Sequence, residues 1–83
     1  MNISTAMIET RVRKCVAQAL NKPSASLQPD DLEFESSEWD SLGQMELISS
    51  LEAEFGITLK LSDIVKITDL PTAVSTVARV LDE

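Results

Sequence analysis

The fold of this chain is decided by residues 38–57, which read EWDSLGQMELISSLEAEFGI. Winding residues 41–55 as a helix, at about 100° per residue, collects large apolar side chains on one face. That face consists of Leu47, Ile48, Leu51 and Phe55. Gly56 follows where helices end in a left-handed residue, and Ile57 can fold back over the last turn. The stretch therefore predicts a helix with one core face and a defined end.

The same helix carries a second, smaller apolar patch. Leu42 and Met45 lie on the side opposite the core face, among carboxylates that include Glu46 and Glu52. A helix with a single core face would have polar residues at both apolar positions. Two interpretations remain open: another part of the chain covers the patch, or the patch anchors a partner that the carboxylates attract.

A serine stands at the predicted start of this helix. Ser41 and Gln44 have the spacing of a capping box, in which the hydroxyl only satisfies a backbone amide. The position also suits a phosphate attached to Ser41, because amides at a helix N-terminus lack partners and the helix dipole is positive there. Gly43 would leave room beside such a phosphate. Asp40 would repel it, so we expect that carboxylate to serve the unmodified serine or a modifying enzyme.

The first part of the chain predicts another helix, over residues 5–20, with Ser4 or Thr5 as its N-cap. Its buried stripe consists of Ile8, Val12, Cys15, Val16, Ala19 and Leu20. Because Cys15 lies on that stripe, we interpret it as a small core residue rather than a reactive thiol. Residues 21–39 form a long loop, which Leu27, Leu32 and Phe34 are expected to pin onto the core.

The last part of the chain predicts an extended connector at residues 57–61 and two further helices. Ser62 can cap a short helix through about Lys66, and Thr68 or Asp69 can cap a fourth helix with Pro71 in its first turn. The buried stripe of that fourth helix consists of Val74, Val77, Ala78 and Leu81. We therefore predict an all-α fold in one domain, residues 1–83: a small four-helix bundle with three longer helices, a short helix III and a long loop between helices I and II.

Composition argues against catalysis. The chain has 83 residues, one Cys, no His and no Tyr. A Ser-His-Asp triad or a Cys-His pair cannot be built, and a zinc site would lack its usual ligands. We therefore expect a protein that is not an enzyme and holds no metal. No apolar run reaches the about 20 residues of a membrane span, and no secretory leader is recognisable. With a single cysteine, this favours a cytoplasmic protein.

Charge is distributed unevenly. The net charge is −7, and residues 23–59 contain nine Asp and Glu side chains but no Lys or Arg. Phosphate backbones require basic side chains, so a nucleic acid is not an expected partner. An acidic stretch of this length instead favours a surface that steers a basic protein partner.

These features together resemble the acyl carrier protein family. The resemblance rests on Asp40-Ser41-Leu42 and on an acidic helix that ends in Glu54-Phe55-Gly56-Ile57, and it extends over nearly the whole chain. It implies that Ser41 receives 4′-phosphopantetheine from coenzyme A through a phosphopantetheinyl transferase, with Asp40 and Leu42 as the flanking residues. The thiol of that covalent arm would carry an acyl or aminoacyl group as a thioester.

The resemblance also implies a docking face and a set of partners. Leu42, Met45, Glu46 and Glu52 match helix II positions that such carriers present to other proteins. The expected partners are the transferase and the acyl-loading and acyl-transfer enzymes, which would bring basic patches to a monomeric carrier. Tethering would turn a diffusing substrate into a local one at high effective concentration.

Several positions depart from the pattern of fatty-acid carriers. Gly43 stands where an acidic residue is common, Ser49 where a bulky apolar one is common, and Ser37-Glu38-Trp39 replaces a glycine-containing lead. A specialised carrier is therefore favoured over a housekeeping one, with fatty-acid, polyketide and cell-envelope synthesis all possible settings. Alternatives are a peptidyl or aminoacyl carrier and, from another class, an unmodified helical interaction module. Trp39 would either anchor the loop or contact the arm or a partner.

Overall fold

Four α-helices make up the computed structural model, which describes residues 3–83. They are α1 (Thr5–Leu20), α2 (Ser41–Phe55), α3 (Leu61–Ile64) and α4 (Leu70–Leu81). The described residues contain no strand beyond one isolated bridge between Glu33 and Asp69. This confirms the predicted all-α bundle with three longer helices and one short one.

The two longest helices begin or end as the sequence predicts. Ser4 is the N-cap of α1, and its hydroxyl accepts a hydrogen bond from the Met7 amide at 3.2 Å. Gly56 ends α2 with a φ of 63°, in the left-handed region that glycine adopts without strain. The Ile57 amide then donates to the Glu52 carbonyl at 3.1 Å, which satisfies one of the last carbonyls of the helix.

Helix α3 differs from its prediction. Lys60, not Ser62, occupies the N-cap, and the helix ends at Ile64 rather than near Lys66. The carboxylate of Asp63 accepts a hydrogen bond from the Lys60 amide at 3.1 Å, so the helix start is stabilised by a side chain from inside the first turn. Asp63 is itself buried against the guanidinium of Arg79 on α4, which fixes α3 to the bundle. The predicted cap at Ser62 was wrong because this carboxylate takes that role.

The core lies where α1 packs against both α2 and α4. Its completely enclosed side chains are Val12, Cys15, Val16, Leu51, Ala73 and Val77. Burial, with a smaller contribution from the charge of Glu54, raises the pKa of the Cys15 thiol to about 11. The thiol is therefore neutral and enclosed, which confirms its interpretation as a core residue.

The long loop between α1 and α2 is pinned to this core. It contains two 3₁₀ turns, Ser24–Ser26 and Pro29–Leu32. Phe34 is buried and Leu27 and Leu32 pack against the core from the surface, as predicted. Full burial of an aromatic side chain such as that of Phe34 stabilises the fold by about 1.5–3 kcal/mol.

A buried carboxylate holds the middle of the loop. Asp31 accepts hydrogen bonds from the Gln28 amide at 2.8 Å and from the Lys22 ammonium at 3.0 Å. These two bonds hold the pKa of Asp31 below its ordinary value of 3.8. The sequence alone placed Asp31 only among the surface acids, because the contact with Lys22 forms when the loop closes.

Within residues 3–83, no helix combines the length and the apolar character that crossing a membrane requires.

Candidate functional site

Ser41 is the first residue of α2 and is exposed to solvent. The N-cap is Asp40, whose carboxylate accepts a hydrogen bond from the Gly43 amide at 2.7 Å. Gln44 does not reach back to the helix start, since its amide group donates to the Phe34 carbonyl at 2.7 Å. The predicted capping box of Ser41 and Gln44 is therefore wrong. Because Asp40 caps the helix, the hydroxyl of Ser41 is not needed for that purpose.

Gly43 packs closely against residues at its own helix start. A Cβ atom at this position would lie 3.3 Å from Asp40 Oδ1 and 3.3 Å from Trp39 Cε3. Both distances are tighter than ordinary van der Waals contact. The structure thus gives a different reason for this glycine than room for a phosphate: it lets Trp39 and Asp40 close against the first turn of α2.

Trp39 anchors the loop, which confirms the first of its two interpretations. The side chain is 7% exposed, and its indole N–H donates to the Asp31 carbonyl at 2.9 Å. Its ring meets that of Phe34 edge to face, with centroids 5.0 Å apart, a favourable aromatic geometry. The residue two positions before Ser41 is therefore fixed to the loop and the core together.

The second apolar patch of α2 is uncovered. Leu42 is 63% exposed and Met45 is 68% exposed, and the neighbouring Glu46 is exposed as well. The interpretation in which another part of the described chain covers these residues is therefore wrong. Glu52 differs from the other three, because it is half-buried and its carboxylate accepts a hydrogen bond from the Leu59 amide at 2.8 Å. It holds the connector that leads to α3.

Ser41 borders an open cleft between α2 and α3 of about 400 Å³. The cleft is lined by Ser41, Gln44, Met45, Ile48, Ser49 and Ile64. All but Ile64 are within nine positions of each other on α2, so the cleft exists only because α3 forms its other wall. The periodicity of α2 could not reveal it, since the other wall comes from α3, a separate element that contacts α4 through Asp63 and Arg79.

Comparison with known families shows what kind of protein this is. Residues 10–80 match the family model described as the phosphopantetheine attachment site. The chain belongs to this family of acyl carrier proteins. Acyl carrier proteins of Rickettsia typhi and of Rickettsia prowazekii are each 36% identical to it over 64 residues, which is 77% of this chain and 74% of theirs.

Membership of the acyl carrier family accounts for the chemistry that the chain lacks. Such a protein carries acyl groups on a covalent 4′-phosphopantetheine arm and is not a catalyst. Its work depends on enzymes that attach the arm and enzymes that handle the acyl group.

Proposed function

We propose that Ser41 is the residue that bears the 4′-phosphopantetheine arm. The supporting observation is that Ser41 is exposed at the first position of α2 while Asp40 performs the capping. The hydroxyl is therefore accessible to a transferase, and its modification leaves the helix start intact. Trp39, Asp31 and Lys22 hold the preceding loop in one position, so that the serine is presented from a rigid base.

The attachment follows ordinary phosphoryl chemistry. The Ser41 oxygen attacks the pantetheine-bearing phosphorus of coenzyme A and forms a phosphodiester. The diphosphate bond breaks, adenosine 3′,5′-bisphosphate leaves, and the hydroxyl proton passes to a base of the transferase. This chain has no histidine, and Asp40 is engaged in capping the helix, so we assign the base to the transferase. Once attached, the arm supplies a thiol that holds acyl groups as thioesters. The flanking Asp40 and Leu42 are exposed beside the serine, where the transferase can contact both.

We further propose that Leu42, Met45 and Glu46 form the docking face for the transferase and for acyl-loading and acyl-transfer enzymes with basic patches. Apolar anchors supply burial, and nearby carboxylates raise the rate of encounter. Glu54 does not contribute equally, because it pairs with Lys14 at 3.4 Å and Arg11 at 3.9 Å on α1. Glu52 contributes mainly by holding the connector.

The wider setting that we propose is a specialised carrier that works as a single domain and a monomer in the cytoplasm. The departures at Gly43 and Ser49 support a pathway other than housekeeping fatty-acid synthesis. The buried, neutral Cys15 fits a reducing compartment, since no other cysteine is present to pair with it.

The attachment site is tested by intact mass after incubation with coenzyme A and a broad-specificity phosphopantetheinyl transferase. We expect wild type to gain the mass of one phosphopantetheine and Ser41→Ala to gain none. Ser49→Ala is the matched control, because this serine is exposed on the same helix and should leave the gain unchanged. An unchanged wild-type mass with several transferases would instead favour the unmodified interaction module.

The docking face is tested by rates of arm attachment. Met45→Glu and Glu46→Lys should each slow attachment by about tenfold, equivalent to about 1.4 kcal/mol, while helicity stays normal. Asp82→Lys changes the net charge as much as Glu46→Lys does, but it lies exposed at the far end of α4 and should have little effect. Unfolding of the Met45 and Glu46 variants would show that these residues stabilise the bundle, contrary to the proposal.

A further inference from the structure

A second, smaller void lies behind the cleft that borders Ser41. Its volume is about 60 Å³, and it is lined by Phe34, Gln44, Leu47, Ile48, Ile64 and Ile67. Gln44, Ile48 and Ile64 also line the outer cleft. These three side chains are therefore the wall between the open cleft and the interior of the bundle.

Gln44 is the polar member of this wall, and although the residue is partly open to solvent, a hydrogen bond restrains its side chain. Its amide nitrogen donates to the carbonyl of the buried Phe34 at 2.7 Å, which joins α2 to the long loop. Displacing this side chain inward would leave the Phe34 carbonyl without that donor, and an unpaired buried carbonyl is costly. Ile48 and Ile64 are apolar and make no comparable bond, so Gln44 is the one residue of the three whose side chain a hydrogen bond holds in place.

The void behind Gln44 is small. An engineered protein cavity of about 150 Å³ accommodates benzene, which has six carbons. The void here is less than half that size, so an alkyl chain of six or more carbons does not fit without displacement of the wall. The outer cleft is several times larger and also offers the hydroxyls of Ser41 and Ser49 beside Met45.

We propose that Gln44 is a specificity-determining residue that keeps the cargo in the outer cleft, so that this carrier serves short or polar acyl groups, such as hydroxyacyl or aminoacyl groups, rather than enclosing long alkyl chains. The inference rests on the proposed attachment of the arm to Ser41. A short acyl group in the cleft contacts Met45 and Ile64, and a hydroxyl or amino group on it meets the polar groups of Gln44 and Ser49. A long alkyl chain gains no enclosed apolar site and stays in solvent.

The experiment compares butyryl and octanoyl forms, made from the corresponding acyl coenzyme A and a broad-specificity transferase. The proteins are wild type, Gln44→Ala and Gln18→Ala, and each loaded form is verified by mass. Hydroxylamine cleavage of each thioester is measured against the free acyl pantetheine, and thermal unfolding is recorded in parallel. Gln18→Ala is the matched control, because it removes the same side chain at an exposed position of α1 that lines neither the outer cleft nor the void.

On wild type and Gln18→Ala we expect both acyl groups to be cleaved within about twofold of the free compounds, since enclosure is what protects a ligand. On Gln44→Ala the shortened side chain joins the void to the cleft. There the octanoyl group should be cleaved at least about fivefold more slowly than butyryl and should raise the unfolding temperature.

Strong protection of octanoyl on wild type would overturn the proposal, as would a folded Gln44→Ala protein that leaves octanoyl unprotected. If Gln44→Ala does not fold, Gln44→Ser shortens the same side chain and is judged by the same criteria. Absence of any loading would overturn the attachment to Ser41 itself. Failure of attachment can be told apart from failure of the role proposed for Gln44, because the mass of each protein is measured before its thioester is cleaved.

Discussion

Two helix starts in this molecule use the same cap and differ in what surrounds it. Asp40 and Asp69 each occupy the N-cap and accept a hydrogen bond from the amide of the third helical residue, at 2.7 Å for Gly43 and 2.9 Å for Thr72. In α4, the Thr72 hydroxyl also accepts from the Asp69 amide at 3.0 Å, which completes a capping box. In α2, the equivalent residue is glycine and no hydroxyl is available there.

The first residues of the two helices also differ, in their exposure to solvent. Leu70, at the start of α4, is 7% exposed and belongs to the core. Ser41, at the start of α2, is exposed. The start of α4 is buried by packing and has additional hydrogen bonds. The start of α2 has a single side-chain cap, from Asp40. The comparison shows how a chain can stabilise a helix start and still leave its first side chain accessible for modification.

The largest difference in stability is expected when the first residue of each helix is replaced by alanine. Leu70→Ala should lower the free energy of unfolding by about 2–4 kcal/mol, since it removes a buried side chain and leaves a cavity. Ser41→Ala should change it by less than about 0.5 kcal/mol, because the serine is exposed and the cap is elsewhere. Urea unfolding followed by circular dichroism measures both. A loss from Ser41→Ala as large as that from Leu70→Ala would contradict the comparison.

Removal of the two caps should have an intermediate effect. Asp69→Ala should cost about 1–2 kcal/mol and Asp40→Ala about 1 kcal/mol, because Asp69 supports the fuller set of hydrogen bonds. The same urea titrations report the costs, and the rate of arm attachment per folded molecule is measured alongside. Only Asp40→Ala should slow attachment, since it alone disturbs the turn that holds Ser41. Equal slowing in both variants would show that the effect is global.

The smallest change in stability near neutral pH is expected from the ionisation of two buried carboxylates, one near the start of α2 and one in contact with α4. Asp31 lies under Trp39, and Asp63 pairs with Arg79 of α4. The Arg79 guanidinium, followed by the Lys60 amide, holds the pKa of Asp63 below its ordinary value of 3.8, as the Gln28 amide and Lys22 do for Asp31. The folded state therefore binds fewer protons than the unfolded state in acid.

Stability from both groups is thus complete above pH 3.8, their ordinary value, and is lost as the pH falls through their lower folded values. Urea midpoints should change little between about pH 7 and 5 on account of these groups and fall steeply below about pH 4. Asp31→Asn, which cannot ionise, should flatten part of the acid decline. An unchanged decline in that variant would mean that Asp31 is not a source of it.

The helices could be predicted from the sequence, but two of the caps could not. The spacing of apolar residues predicted α1, α2 and α4, because that spacing follows directly from the number of residues in a helix turn. At the starts of α2 and α3, the sequence offered a hydroxyl, Ser41 or Ser62, close to a carboxylate. In both places the carboxylate became the acceptor. A charged acceptor makes the stronger hydrogen bond and is favoured at the positive end of a helix, which explains both errors.

The candidate site was predictable only in part. The exposed patch of Leu42 and Met45 followed from the helical wheel, because both lie opposite the core face. The cleft and its entrance at Gln44 did not, since they require α3 and the carbonyl of Phe34, which come from distant parts of the chain. The indole bond of Trp39 is another contact that only the folded loop creates.

The enclosure of Cys15 has a practical consequence for any form of the protein that bears its arm. The chain contains one cysteine, and that sulfur is shut inside the core and protonated. The thiol of the arm is then the single sulfhydryl that solvent reaches. A maleimide or disulfide probe would report on that position alone, and the acyl group finds no second exposed thiol in this chain to which it could move.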